Sequence, residues 1–325
     1  MLMDSTTTTT NTPNTSTAGA GSTAGATAPV AADAIGPTDS TGSTGGGAIA
    51  GGACGSLLGG AGTLWRREMV RFFRQRNRVI GALGTPIVFW LVLGSGLDRL
   101  FRAAGEVAAA GTAGGTAGEP MGYLAYFFPG TLVLILLFTA IFSTISVIED
   151  RREGFLQAVL VAPVPRGAIV LGKVLGGASI ATIQGVLFLL VAPLIGVWPG
   201  VGAAIAAIGV MFVLAMGLTA LGLCIAWPMD STTGFHAIMN LFLMPMWLLS
   251  GALFPVATAP LWLAVIMYAN PLTYGHAVLA GVLHGSAAPG ATVPWLVALG
   301  VMLAASALGV LLASWIVTRP RQGGG

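Results

Sequence analysis

Charge is what this sequence has least of. Of its 325 residues only 8 % are Asp, Glu, Lys or Arg, against about 25 % in an ordinary soluble domain. Hydrophobic residues make up 55 % of the chain and the mean hydropathy is +0.87. One soluble core of this size cannot hide so much apolar surface, which excludes a water-soluble globular protein. Cysteine is scarce as well. Cys54 and Cys224 form no disulfide framework and fit no metal spacing; Cys224, in an apolar run, reads as a small hydrophobe. The histidines are His236, His276 and His284, with no H-E-x-x-H and no G-x-S-x-G in the chain. His276 and His284 could share a helical face, but further ligands are lacking and no metal site is assigned. Asp230 and His236 read as a polar turn.

What remains is a polytopic, all-α membrane protein, because lipid is the solvent that tolerates such a composition. Residues 1–62 form a separate regime of Thr, Ser, Gly and Ala runs, with Asp4, Asp33 and Asp39 their only charges. Such a tail cannot bury enough apolar surface to offset chain entropy, and we expect it to be disordered and low in complexity. It has no basic start or adequate apolar core for a secretory signal. Order is expected from Thr63. Trp65, Met69, Phe72 and Phe73 then recur at helical spacing among Arg66, Arg67, Arg71, Arg74 and Arg78, the pattern of an amphipathic helix lying in the headgroup plane. Basic residues flanking a span would explain the arginines but not the aromatic stripe.

Six spans are expected, at about 79–97, 123–148, 174–197, 201–227, 235–254 and 291–317. Trp198-Pro199-Gly200 makes a tight hairpin between the third and fourth. Two apolar stretches, 256–268 and 272–284, are each too short to span and are separated by Asn270-Pro271. They read as one broken span or as a re-entrant pair, and charge decides between these. Of the 14 Lys and Arg, six precede the first span, Arg151, Arg152, Arg166 and Lys173 lie between the second and third, and Arg319 and Arg321 follow the last. The positive-inside rule puts all three groups in the cytoplasm, and with both termini inside the number of spans is even. Six spans plus an outer re-entrant pair satisfies this.

From Ala168 to Thr318 the formal charges are Lys173 and Asp230 alone, both near expected span ends. No ionisable group is evident at mid-membrane depth, which argues against an ion-coupled carrier or channel. A membrane-embedded enzyme, the other alternative, needs clustered ionisable residues that are lacking. Uphill transport would then draw on a partner. The cytoplasmic segment rich enough to receive one is EDRREGFLQAVLVAPVPRGAIVLGK, Glu149 to Lys173. Its charges Glu149, Arg151, Arg152 and Glu153 lead into a short apolar helix, Phe155–Val161. Phe155, Leu156, Val159 and Leu160 form a greasy face, as a helix docking in a groove requires; a solvated loop with a membrane-dipping turn is the plainer reading. Gly167 to Lys173 fits G-x-x-x-x-G-K, but Val174 stands where Ser or Thr must hold magnesium. Leu249-Ser250-Gly251 shares letters with the ABC ATPase signature but lacks the Gly-Gln that follows it. No ATPase site is therefore assigned to this chain.

This segment resembles the stretch between the second and third spans of ATP-binding-cassette (ABC) exporter permeases of the second type, the membrane subunits of ABC-2 transporters. The resemblance rests on Glu149 to Gly154, Leu160-Val161-Ala162-Pro163-Val164-Pro165 and Leu171-Gly172-Lys173-Val174. Leu249 to Pro255 is similar to the end of the family's fifth span, and Asn270-Pro271-Leu272-Thr273-Tyr274 to its outer re-entrant region. The helix carrying Trp65, Arg67, Phe72 and Phe73 is similar to its elbow helix. The likeness covers residues 63–321, leaving 322–325 as a tail, and drug-export and nodulation-factor-export permeases are the nearest subgroups. Ala280 departs from the family, many of whose members carry Arg or Gln there. The resemblance implies one membrane half of an exporter in a bacterial inner membrane, working as a homodimer or beside a related permease. It implies a separate ABC ATPase subunit that holds ATP and Mg, no cofactor on this chain, and a coupling helix at 151–161. Asn270, Pro271 and Tyr274 would belong to the exit region. Lipid is the expected surroundings and no nucleic-acid partner is implied. The sparse polar groups of the spans, Thr139, Ser143, Thr144, Ser146, Thr182, Gln184, Thr219 and Asn240, are expected along a path for an amphipathic solute.

Overall fold

A computed structural model describes residues 57–74, 76–110, 122–161, 165–285 and 293–319; the side chains of 76–80, 82, 101, 104–110 and 160 lie outside the description. The expected disorder of 1–56 and 322–325, the turn at 162–164, and Cys54 and Arg321 fall outside it too. The described residues form helices and no strand: α1 Leu57–Arg74, α2 Arg76–Ala110, α3 Tyr123–Ser143, α4 Ile145–Arg152, α5 Phe155–Val161, α6 Arg166–Leu189, α7 Val201–Ala226, α8 Thr232–Trp247, α9 Leu261–Ala269, α10 Pro271–His284 and α11 Trp295–Thr318.

The axis of the bundle is α3. Its sequence is apolar all round, which is what a helix surrounded by others requires. Phe127, Phe128, Leu132, Val133, Ile135, Leu136 and Leu137 are all completely buried, with α2, α6, α7 and α10 packed round them. Trp90 of α2 and Phe188 of α6 close on Phe128, the two phenylalanine rings stacking at 4.8 Å. By contrast α7 and α11 bury one side and leave Ile205, Leu303, Leu308 and Leu311 exposed. Helices with bare leucine and isoleucine flanks suit lipid rather than water.

Five helical stretches among the described residues are long and apolar enough to cross a membrane: Tyr123–Arg152, Arg166–Ile195, Val201–Ala226, Thr232–Ala252 and Trp295–Thr318. The stretch expected to span first, 79–97, lies in the 35-residue α2, which is not one of the five. The hairpin before α7 follows a single turn of 3₁₀ helix, Ala192–Ile195, and Gly196 and Gly200 carry it at φ +74° and +85°. Ser231 caps α8, its hydroxyl accepting from the Gly234 N–H at 3.1 Å. Two boundaries differ from expectation. Helix α1 begins at Leu57, not Thr63, and α6 begins at Arg166, eight residues before the expected third span. Lys173 is therefore not a flanking cation at a span end; it sits inside α6 and is buried.

Candidate functional site

Charged side chains gather where α6 and α8 begin and α7 and α11 end. The amphipathic helix α1 lies here against α6. Gly172 and Gly176 of α6 let it approach: a Cβ on either would come within 2.6 Å of the Leu64 Cβ or 2.9 Å of the Glu68 Cβ. The aromatic stripe is split by this docking. Phe72 turns inward with Ala61, Leu64 and Glu68, whereas Trp65 and Phe73 stay exposed.

Beneath α1 sits a buried ion cluster that the sequence reading did not assemble. The Lys173 ammonium donates to Glu68 Oε1 at 2.6 Å, to Ser146 Oγ at 3.0 Å and to the Asp150 carboxylate. Asp150 is fully buried and also takes a two-pronged bond from Arg67, at 2.7 and 3.0 Å, and a bond from Arg71 at 2.9 Å. The Asp150 hydrogen bond holds the Arg67 guanidinium protonated even more firmly than usual. Ion pairs this well bonded are tolerated in a dry place because each charge has several partners. A clue was present: Glu68 falls at i+4 from Leu64 and i−4 from Phe72, an acid on a buried stripe, and Lys173 interrupts an apolar run.

The expected docking residues divide. Glu149 accepts from Arg71 at 2.7 Å. Arg151 and Arg152 hold the turn between α7 and α8: Arg151 donates to the carbonyls of Trp227 and Met229 and to the Asp230 carboxylate, and Arg152 to the Asp230 carbonyl at 3.0 Å. Asp230 is thus occupied by arginine, and His236 lies on the Phe142 ring at 5.0 Å. Glu153 is largely exposed. Helix α5 has the expected bounds, but not the expected outward face. Leu156 is 4 % exposed among Val147, Ile169, Val170 and Val174, Phe155 and Val159 pack beside it, and Arg67 stacks over the Phe155 ring at 3.7 Å. The outward residues are Gln157, Ala158 and Val161, the last 86 % exposed. Leu160 has its side chain outside the description. The reason is local: a seven-residue helix tethered to α4 has one apolar side, and the bundle takes it.

At the far end of α8 the chain breaks. Trp247 leads into a π turn, Leu248–Ala252, where Gly251 stands at φ +86°, a conformation that favours glycine. Helices α9 and α10 follow, nine and fourteen residues long and separated by Asn270. Several carbonyls beside these breaks meet neutral donors. The Tyr126 and Tyr123 hydroxyls donate to Gly251 and Leu253, each at 3.0 Å, and Asn270 Nδ2 to Met246 at 2.6 Å. Thr273 bonds Met267 at 2.6 Å and Tyr274 bonds Tyr268 at 2.8 Å. Asn270 Oδ1 also caps α10 by accepting from Leu272 N–H at 3.0 Å, ahead of which Pro271 needs no partner. The Tyr274 hydroxyl thus serves one carbonyl beside the break.

A cavity of about 570 Å³ opens between α2, α3 and α8. Phe72, Phe89, Phe138 and Phe142 line it, with Thr139, Ser143, His236 and Glu149 as polar groups. Most of the polar residues expected along a path are elsewhere: Thr144, Thr182 and Thr219 bond carbonyls of their own helices, and Ser146 serves Lys173. This back-bonding is how a hydroxyl is satisfied inside an apolar bundle.

Bare apolar flanks, several spanning helices and charge confined largely to one end define a multi-pass membrane protein. The chain belongs to the ABC-2 type transporter family, whose model matches residues 61–284. It is 30 % identical over 154 residues to a protein of Cyanophora paradoxa named transport permease ycf38, covering 47 % of this chain and 53 % of that one. It is 29 % identical over 138 residues to an Escherichia coli K12 protein named multidrug ABC transporter permease YbhR, covering 41 % and 36 %. To nodulation protein J of Rhizobium leguminosarum bv. viciae it is 25 % identical over 214 residues, covering 65 % and 77 %. The match thus spans about half of the first relative's length and about a third of the second's.

Proposed function

We propose that this chain is the membrane subunit of an ATP-driven exporter, with ATP hydrolysed on a separate ABC ATPase. The observation that carries the reading is α5: a short helix clamped to the charged end by Leu156 and the Arg67–Phe155 stack, yet presenting Gln157, Ala158 and Val161 outward. A helix held on one side and bare on the other transmits a push from a partner into α1, α4 and α6. The charged end is then cytoplasmic, as are both termini, and α2 supplies the sixth span in a bacterial inner membrane. Helices α9 and α10 form the outer re-entrant pair beside the exit. A second permease copy, or a related one, completes the path, and the cavity between α2, α3 and α8 faces it.

Copurification from native membranes tests this. An ABC ATPase should accompany the wild-type chain and be lost from Ala158→Asp/Val161→Asp, with the permease retained in the membrane. Recovery of the permease without any ATPase, or equal ATPase with the double variant, would contradict the coupling assignment.

A further inference from the structure

The cavity between α2, α3 and α8 has a distinct chemistry. It runs from Leu134 on α3 to Glu149 on α4, about 22 Å at 1.5 Å per residue. Its volume of about 570 Å³ is that of a small-molecule site. Four phenylalanines line it: Phe72, Phe89, Phe138 and Phe142. Phe138 and Phe142 lie one helical turn apart, their ring centres 5.5 Å from each other, and His236 extends the row, 5.0 Å from Phe142. One wall is thus a continuous strip of rings.

The charge in this cavity has one sign. Among the described residues no Lys or Arg lines it, and its carboxylate is that of Glu149. Glu149 Oε2 accepts from Arg71 at 2.7 Å, while Oε1 makes no hydrogen bond among the described residues. Arg71 does not cancel this charge. The connected ion cluster sets Arg67, Arg71 and Lys173 against Glu68, Glu149, Asp150 and Glu153, three cations to four carboxylates. Arg66 and Arg74 line a separate concavity on α1, with Glu153. Ser143 spends its proton on the Ala140 carbonyl at 2.7 Å and so has lone pairs, not a donor, to offer a guest. Aromatic ring faces attract cations as well. An anion would meet no counter-charge here. A neutral hydrocarbon would fill the space between the rings and leave the carboxylate unanswered.

We propose that this cavity binds an aromatic organic cation, its rings against Phe138 and Phe142 and its positive nitrogen beside Glu149, and that compounds of this class are the exporter's cargo. The cargo assignment rests on the exporter reading; the binding site does not.

The test uses the purified full chain in phosphatidylcholine nanodiscs, without ATP, and reads ethidium binding by fluorescence polarisation. Ethidium, a planar aromatic cation, should bind saturably and be displaced by tetraphenylphosphonium. Anilinonaphthalene sulfonate, an aromatic anion, should not displace it. Glu149→Gln should weaken ethidium binding about tenfold or more, and Phe142→Leu about fivefold. Thr85→Trp, which fills the cavity from α2 and away from the ion cluster, should weaken it comparably to Glu149→Gln. Glu153→Gln alters a carboxylate beside the same Arg71 but outside the cavity, and should leave binding unchanged. Displacement by the sulfonate as strong as by the phosphonium would overturn the proposal. So would ethidium binding unaffected by both Glu149→Gln and Thr85→Trp, or equal losses from Glu149→Gln and Glu153→Gln. Ethidium bound as expected to a chain that copurifies with no ATPase would remove the cargo assignment and keep the site. A chain that keeps its ATPase and fails the cation tests would lose the site and remain an exporter.

Discussion

The two ends of the bundle supply partners to buried polar groups by opposite means. At the charged end Glu68, Asp150, Lys173, Arg67 and Arg71 tie α1, α4 and α6 together through ions. At the broken end Tyr123, Tyr126, Asn270, Thr273 and Tyr274 each spend one neutral group on a carbonyl that a kink has freed. The difference follows from what is being joined. Three separate helices need long, strong, multi-partner links, and charge-assisted bonds supply them. A local break needs only a donor of fixed reach near each orphan carbonyl. The charged end is consequently one cooperative unit, and the broken end a set of separable contacts.

Variants at the two ends should therefore behave differently. The largest loss is expected from Asp150→Ala, which takes a shared partner from Lys173, Arg67 and Arg71; breaking a buried pair costs about 3–5 kcal/mol. Thermal unfolding in detergent should show it, and pairing Asp150→Leu with Lys173→Met should recover part of the loss. Simple additivity of the two would dissolve the cluster as a unit. Next is Leu156→Ala, with a loss of about 2 kcal/mol from its buried site, whereas Val161→Ala should leave stability unchanged. Smaller effects are expected at the break. Asn270→Ala should cost about 1–2 kcal/mol through the lost cap and the Met246 bond, and Tyr274→Phe about 1 kcal/mol. Their double variant should be close to additive; strong coupling would make the two ends alike.

The smallest effect concerns pH at the far end of α2. The Tyr123 backbone N–H, and then Arg102, hold the Asp98 carboxyl below its ordinary value of 3.8. A lowered folded-state value means the contribution is complete above the ordinary value and fades as pH falls through the folded one. Asp98→Asn should flatten the acid limb of the stability profile, lowering stability slightly at neutral pH and leaving the acid end, where Asp98 is protonated, unchanged. An unchanged limb would remove Asp98 from the α2–α3 contact.

Much of this plan was readable in the sequence, because lipid makes apolar length and arginine placement direct signals. The hairpin at 198–200, helix 155–161 and the Asn270 break all follow from local chemistry. What escaped were tertiary choices. An amphipathic stripe shows a helix has an apolar side but not whether lipid or protein takes it, so Phe72 and Leu156 turned inward. Lys173 was read as a flank because hydropathy cannot foresee a carboxylate supplied from 23 residues upstream. The Arg151 and Arg152 bonds to the α7–α8 turn are likewise invisible until that turn is folded against α4.

The claim on which the account turns is that the charged end receives the ATPase through the outer side of α5. A photoreactive amino acid placed in turn at Ala158, Val161, Leu156 and Trp262, in cells at native expression, measures it directly. The account predicts crosslinks to an ABC ATPase from 158 and 161, and none to it from buried 156 or from 262 on α9. Crosslinks to that ATPase from 262, with none from 158 or 161, would contradict it.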